Sequence, residues 1–374
     1  MTTDATFKFD PEKIMRMAVD LAKKALYLTE PNPVVGAILV DEHGQVLSTG
    51  YHKKAGAPHA EVVTLDQYSE VPSSSILFVT LEPCSHTGKT PPCVDLILKK
   101  KVKTVVIGTK DPNPRVSGRG IRRLRSHGVK VVENICQTEC WEMNRVFNKH
   151  IVERIPFVTV KSAATLDGRI AMPSGESQWI TGEKARAYGH RLRSQHQAMA
   201  VGRTTLVNDN PQLTDRISQN ARQPQRVVFS TLGKVSDDSF FMQQTGSKRF
   251  IIAGNGINPK VVRELNQKGV TVLVADTGRP GIQWALKTLY TFDICSVLLE
   301  GGSELIGSFV QEKMIDQLYL FLSGKLIGRN AAPSWCGETG LECLSDSPLF
   351  TFDHIEKLGE DLLLICHPRK NNYS

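Results

Sequence analysis

The chain has 374 residues, room for two domains of ordinary size, and at 40% hydrophobic and 22% charged residues its composition excludes a disordered or fibrous chain. No apolar run reaches membrane-span length, and the start MTTDATFKFDPEK has early acids and no apolar core, so neither an anchor nor a secretory leader is expected and the compartment read is cytoplasmic. The net charge of +8 is evenly spread (residues 1–153 carry 21 Lys+Arg against 17 Asp+Glu, the remainder 25 against 21), which argues against a dedicated nucleic-acid module and suits a phosphorylated small substrate.

The predicted elements alternate. KIMRMAVDLAKKALYL sets Ile14, Met17, Ala18, Leu21, Ala25 and Leu28 on one helical face, and VVGAILV reads as a buried strand. A helix near HAEVVTLDQ, the strand SILFVTLE and the helix PPCVDLILKKK follow. The strand TVVIGT, the helix GRGIRRLRSHG and the strand VKVVE come next, and WEMNRVFNKHIVER reads as one closing helix before an Ile-Pro junction at 155–156. A second alternating series opens at FVTVKSAATLDGRIA. Thr181 is the expected N-cap of GEKARAYGHRLRS, and AVGRTTLVNDNPQLTDR reads as loop-like. RVVFST, RFIIAG, TVLVAD, SVLLEGG, DQLYLFLSGKLIG and DLLLICH supply the later strands. The two halves do not resemble each other, so a boundary is placed between 1–153 and 154–374.

LEPCSHTGKTPPC at 81–93, with APHAEV upstream, raises the question of a metal. His59, Cys84 and Cys93 would give three soft donors, leaving one position of a zinc site for water, whose pKa the ion would lower toward neutrality. Glu61, two residues after His59, would carry protons rather than bind the ion. This is the H-x-E…P-C pattern of zinc deaminases, with eight residues between the cysteines instead of two. His86 would be the fourth ligand if the zinc were structural. Asn32 can read a pyrimidine edge or simply turn the chain, and Asp111, Asn113 and Gly118 in DPNPRVSGRG carry the same ambiguity. Cys136 and Cys140 read as helix packing.

PNPVVG, HAE, LEPCSHTGKTPPC and DPNPRVSGRG resemble the deaminase half of the bifunctional riboflavin-biosynthesis deaminase/reductase family, in which the long Cys–Cys loop is usual. KSAATLDGRIAMPSGESQWITG, VGRTTLVNDNPQLTDR and SVLLEGGSELIGS resemble its reductase half. The resemblance implies an α/β chain: an N-terminal cytidine-deaminase-like α/β/α sandwich, then a dihydrofolate-reductase-like α/β domain. It implies zinc-dependent hydrolytic deamination of 2,5-diamino-6-(5-phosphoribosylamino)pyrimidin-4(3H)-one, then NADPH reduction of the ribosyl group to ribityl. The implied cofactors are Zn2+ and NADPH, the implied partner a phosphorylated pyrimidine, and a homo-oligomer is expected; no nucleic acid or membrane partner is.

Carried over by position, cofactor contacts fall on Ala163, Trp179, Thr205, Asp209, Thr231, Gly302, Ser303, Glu304, Leu305, Ile306, Gly307 and Ser308. Substrate contacts fall on Ser177, Arg193, Leu213, Arg216 and Glu300, with Arg193 and Arg216 as phosphate clamps, beside Asn32 as read above from its amide. Lys161, read as standing at a strand end, is a further substrate contact; it or Asp209 would assist proton movement. Lys89, where the family usually has Arg, and Arg119 are further phosphate candidates. The choice of NADPH over NADH rests on the resemblance, with Arg203 the one cation suggested for the 2′-phosphate. A nucleic-acid-editing deaminase is the rival enzyme reading, and it predicts a basic, aromatic-bearing second half that this sequence lacks.

Overall fold

Asp10 starts the first helix, α1 (Pro11–Lys23): its carboxylate accepts the N–H of Glu12 at 2.9 Å and of Lys13 at 3.4 Å, and Pro11 occupies the first turn. The computed structural model describes residues 7–85, 91–114, 116–216, 223–244 and 246–369. The chain divides into two units, Met1–Arg154 and Ile155–Ser374.

In the first unit, α1 is followed by β1 (Gly36–Val40), β2 (Val46–Tyr51), α2 (Ala60–Leu65), β3 (Ile76–Leu81), α3 (Cys93–Lys99), β4 (Thr104–Thr109), α4 (Arg119–Ser126), β5 (Lys130–Glu133), α5 (Gln137–Met143) and α6 (Arg145–Glu153). The sheet order is β2-β1-β3-β4-β5; β1 runs antiparallel to β2 and β3, while β3, β4 and β5 are parallel. Ile14, Met15, Ala18 and Cys140 of α1 and α5 pack on one face with Ile38, Phe78 and Val106. Ala60, Val94, Ile97 and Ile121 of α2, α3 and α4 cover the other with Leu39, Leu77 and Val105. Buried on both faces, β1, β3 and β4 carry the near-continuous apolar runs seen in the sequence. This is the expected three-layer sandwich.

One element went unread and one reading changes. The half-polar VLSTGY, given no assignment above, is strand β2, held by pairing with β1 rather than by its own pattern. The single helix expected over 141–154 is broken at Asn144, whose amide accepts the Val34 N–H at 2.9 Å and donates to the Val34 carbonyl at 3.0 Å.

The second unit contains β6 (Phe157–Thr165), α7 (Glu183–Ser194), β7 (Ala198–Gly202), α8 (Arg203–Asp209), β8 (Gln225–Phe229), α9 (Phe240–Gln243), β9 (Arg249–Ala253), α10 (Pro259–Gln267) and β10 (Val270–Val274). It continues with α11 (Ile282–Tyr290), β11 (Ser296–Leu299), α12 (Ser303–Gln311), β12 (Gln317–Ser323), β13 (Phe350–Leu358) and β14 (Asp361–Pro368). The sheet order is β10-β9-β8-β7-β11-β6-β12-β14-β13. The strands from β10 to β12 are parallel, and β14 and β13 join antiparallel. The parallel set brings the carboxyl ends of β8, β7 and β11 to one edge, the usual place for a ligand in such sheets.

Three expectations are corrected. The stretch read as loop-like holds β7 and α8, so Thr205 and Asp209 stand four residues apart on one helix. The cap of α7 is Gly182, not Thr181; its N–H donates to the Asp361 carboxylate at 2.7 Å, a partner far away in sequence. Lys161 lies in the middle of β6, not at its end.

Gly36 brings β1 against α1: a Cβ there would stand 2.0 Å from the Ala18 carbonyl oxygen. Gly36→Ala is expected to cost the first unit about 3 kcal/mol, because backbone rather than a flexible side chain must move. Calorimetry checks this as a lowered transition for that unit alone.

Candidate active sites

His59 is the N-cap of α2, Cys93 is the first residue of α3, and Cys84 follows β3. Their donor atoms all lie within 4.8 Å of one another. His59 Nδ1 is 3.2 Å from Cys93 Sγ and 3.7 Å from Cys84 Sγ, and the Cys93 N–H donates to Cys84 Sγ at 3.2 Å. The Cys84 thiol is pulled down to about 4, first by its hydrogen bond with the Cys93 thiol and further by His59. The Cys93 thiol is pushed up, by that shared proton first and by burial next. One nitrogen and two sulfurs aimed at a common point, with one sulfur already favouring the thiolate, fit a zinc ion.

Glu61 lies in the first turn of α2, 3% exposed and beside the Cys93 thiol. Burial, reinforced by Cys84, pushes its carboxyl up to about 7. Asn32 is held by a turn in which its N–H donates to the Thr29 carbonyl at 2.8 Å. Its Nδ2 lies 3.3 Å from His52 Nε2, and His52 Nδ1 lies 3.1 Å from the Pro58 carbonyl. The carbonyl only accepts, so Nδ1 carries the ring proton, Nε2 accepts from Asn32, and the Asn32 amide is oriented. The sequence reading passed over His52, a buried histidine whose only local signal is its place seven residues before His59.

It also passed over Glu82. This carboxylate, 4% exposed, accepts the N–H of Gly120 at 2.9 Å and Ile121 at 3.2 Å on Oε1, and of Gly118 at 2.8 Å and Asp111 at 3.3 Å on Oε2. Glu82 thus ties the backbone at Asp111, Gly118, Gly120 and Ile121 to the chain just after β3, two residues before Cys84. A Cβ at Gly120 would stand 2.2 Å from the Pro83 carbonyl oxygen, so only glycine allows the approach. His86 and Lys89 lie outside the described residues.

In the second unit a cavity of about 1010 Å³ opens at the carboxyl ends of β7, β8 and β11. Of the expected cofactor contacts, Thr205, Asp209, Thr231, Gly302, Ser303, Glu304, Leu305 and Ser308 line it, as does Ser177 from the substrate set. Ala163, Trp179, Ile306 and Gly307 do not line it. Helical rotation explains the last two: Ile306 is buried in the core, and Gly307 faces the Gly337–Glu338 backbone. Trp179 is 61% exposed, with the Arg186 guanidinium over its ring at 4.6 Å. Arg203, Lys234 and Arg279 are cations on the cavity wall, and Arg279 Nη2 donates to Ser308 Oγ at 3.0 Å. Lys234 and Arg279 come from segments where the resemblance is thin.

Arg193, expected as a phosphate clamp, instead grips Glu300 with Nε and Nη2, each 2.8 Å from a carboxylate oxygen; the side chains are 16% and 12% exposed. Burial by itself would push the Glu300 carboxyl up, but Arg193, Lys161 and His190 override it and hold it at about 2. Burial pushes the Lys161 ammonium down; Glu300 opposes this and Arg193 adds to it. A Cβ at Gly189 would be 3.4 Å from Lys161 Cε, so α7 passes close over that side chain. Leu213 is 2% exposed with a left-handed φ of 52°, a costly conformation for leucine that its packing maintains.

Comparison with known proteins follows the same division. A family described as the RibD C-terminal domain matches residues 156–364, and the cytidine and deoxycytidylate deaminase zinc-binding region matches residues 9–109. The riboflavin biosynthesis protein RibD of Aquifex aeolicus (strain VF5) is 37% identical over 94% of this chain and 96% of its own length. That of Actinobacillus pleuropneumoniae is 39% identical over 94% and 93%. The crystal structure of a diaminohydroxyphosphoribosylaminopyrimidine deaminase/5-amino-6-(5-phosphoribosylamino)uracil reductase from Thermotoga maritima superposes with a TM-score of 0.82 at 35% identity, covering 96% of this chain and 98% of that one. Acinetobacter baumannii RibD gives 0.85 at 33%, covering 96% and 98%.

Two outcomes are expected from these carboxylates. Glu82→Gln turns an NH2 toward backbone donors and destabilises the first unit by about 2 kcal/mol; hydrogen exchange reads it as faster exchange at Gly118, Gly120 and Ile121. Glu300, held below the ordinary carboxylate range, stabilises the fold above pH about 4.5, and that contribution is lost as pH falls toward 2. Glu300→Gln therefore melts lower than wild type at pH 7, and the gap in melting temperature narrows as the pH is lowered.

Proposed function

Because this chain belongs to the RibD family of riboflavin biosynthesis, with a zinc-dependent deaminase unit ahead of a reductase unit, we infer that the two clusters described above are its two catalytic centres. The enzyme hydrolytically deaminates 2,5-diamino-6-(5-phosphoribosylamino)pyrimidin-4(3H)-one and reduces the ribosyl group, giving 5-amino-6-(5-phosphoribitylamino)uracil. The observation that carries the deaminase assignment is the convergence of His59 Nδ1, Cys84 Sγ and Cys93 Sγ within 4.8 Å, with the buried Glu61 beside them.

Zinc held by His59, Cys84 and Cys93 supplies Lewis-acid activation of water. Glu61 would take one proton of the attacking water and pass it to the ring nitrogen, then take the remaining hydroxyl proton and deliver it to the departing amine, so that C–NH2 and water become C=O and ammonia. Asn32, its amide fixed by His52, reads the pyrimidine edge with its free carbonyl oxygen and remaining N–H.

NADPH supplies the hydride for the second reaction. The cavity residues Thr205, Asp209, Thr231 and those of the α12 amino end would hold the dinucleotide, and Arg203, Lys234 and Arg279, cations on the same wall, would take its 2′-phosphate. Lys161 protonates the ribose ring oxygen as the sugar opens, which leaves an imine-like C1′ to be reduced. Glu300, steadied by Arg193, orients Lys161 and the sugar hydroxyls. Ser177, Leu213 and Arg216 complete the substrate side, with Arg216 taking the phosphate. A cytoplasmic location is supported by eight cysteines, none of which is in a disulfide. A homo-oligomer is supported by the outermost strand β13, where Phe352 and Ile355 are each 59% exposed.

Glu61→Gln is expected to retain one zinc per chain by atomic absorption and to lose ammonia release by about a hundredfold or more. It still oxidises NADPH when given the deaminated intermediate. Undiminished ammonia release from this variant refutes the assigned role.

A further inference from the structure

His190 stands on α7 three residues before Arg193 and belongs to none of the motifs above. Its Nδ1 lies 3.3 Å from Arg193 Nη1, and its Nε2 lies 3.2 Å from Arg216 Nη2. Guanidinium groups only donate, and a neutral imidazole accepts at one nitrogen while carrying a proton on the other. Both contacts therefore cannot be hydrogen bonds at once, and a protonated ring would make neither.

Arg193 decides which nitrogen accepts. Its Nε and Nη2 are fixed on Glu300 at 2.8 Å each, so Nη1 is held toward Nδ1. The ring proton then sits on Nε2 and faces the Arg216 donors. An N–H from α7 and a guanidinium from the loop after α8 thus face one another as donors 3.2 Å apart, and an anionic oxygen within reach of both satisfies them. The charges around the ring agree with a neutral state. Burial pushes the imidazole below its ordinary value, and Arg193, Arg216 and Lys161 push the same way against Glu300.

We propose that His190 binds the substrate's phosphate, donating its Nε2–H to a phosphate oxygen beside Arg216 while its Nδ1 accepts from Arg193. This rests on the reading above that Arg216 takes the phosphate. It extends that reading by tying the phosphate, through His190 and Arg193, to Glu300. The group that anchors the far end of the substrate and the group beside its reacting carbon share one hydrogen-bonded chain, so binding at one end sets the orientation at the other.

The test uses the full-length enzyme and two probes: ribose 5-phosphate in calorimetric titrations, and the deaminated pyrimidine in the reductase assay, with and without its phosphate. His190→Ala is expected to weaken ribose 5-phosphate binding about ten- to a hundredfold and to raise KM for the phosphorylated pyrimidine to match. Its loss of kcat/KM is at least tenfold larger for the phosphorylated pyrimidine than for the phosphate-free one. His190→Gln, whose amide can accept from Arg193 and donate to phosphate, recovers most of the affinity. Wild-type affinity in His190→Ala, an equal loss with the phosphate-free pyrimidine, or failure of His190→Gln to improve on alanine overturns the proposal. Arg216→Ala separates the two levels. If it weakens ribose 5-phosphate binding while His190→Ala does not, only the His190 assignment falls. If neither variant weakens it, the phosphate lies elsewhere and both readings fall.

Discussion

A carboxylate withdrawn from water must be met by donors or give up its charge, and three such carboxylates organise this protein. Glu82 is met by four backbone N–H groups and acts as a clasp for the segment 111–121. Glu300 is met by a two-point grip from Arg193, and its carboxyl is held down at about 2. Glu61 has no comparable partner, and burial raises its carboxyl to about 7. Similar chemistry in three environments gives a structural tie, a fixed anion and a carboxyl raised to about 7, the one proposed above to carry protons.

These environments exist because each sheet delivers distant segments to one end. In the first unit, the end of β3 carries Glu82 into the loop of Cys84, while His59 and Cys93 arrive at the starts of α2 and α3. Glu82 therefore does more than hold a loop: the segment it gathers backs onto Pro83 and limits where Cys84 can move. In the second unit, β11 lies between β6 and β7, so Glu300 emerges beside Lys161 on one side and the Gly202 turn on the other. The cavity opens at that edge, and Arg193 links Glu300 to His190.

Much of the fold was legible because β1, β3 and β4, and the centres of strands such as β8 and β9, are buried on both faces and carry short apolar runs. The soft ligands were legible because His, Cys and Glu at 59, 84, 93 and 61 have few other reasons to appear in that order. What escaped had no local pattern. β2 is half polar, β7 is short and rich in alanine, and Asn144 ends a helix only because Val34 offers both of its backbone groups. Within α12, the run 302–308 was read as a continuous contact, yet helical rotation turns Ile306 and Gly307 away from the cavity.

The sequence by itself determined the inventory and its order: which donors exist, which runs are strands, and that two unlike halves follow one another. Only the tertiary structure decided who meets whom. Glu82 finds Gly118 across 36 positions and Arg193 finds Glu300 across 107. The physical reason is that periodicity reports which face of an element is buried, whereas the partner of a buried polar group depends on which strand ends the sheet order brings side by side.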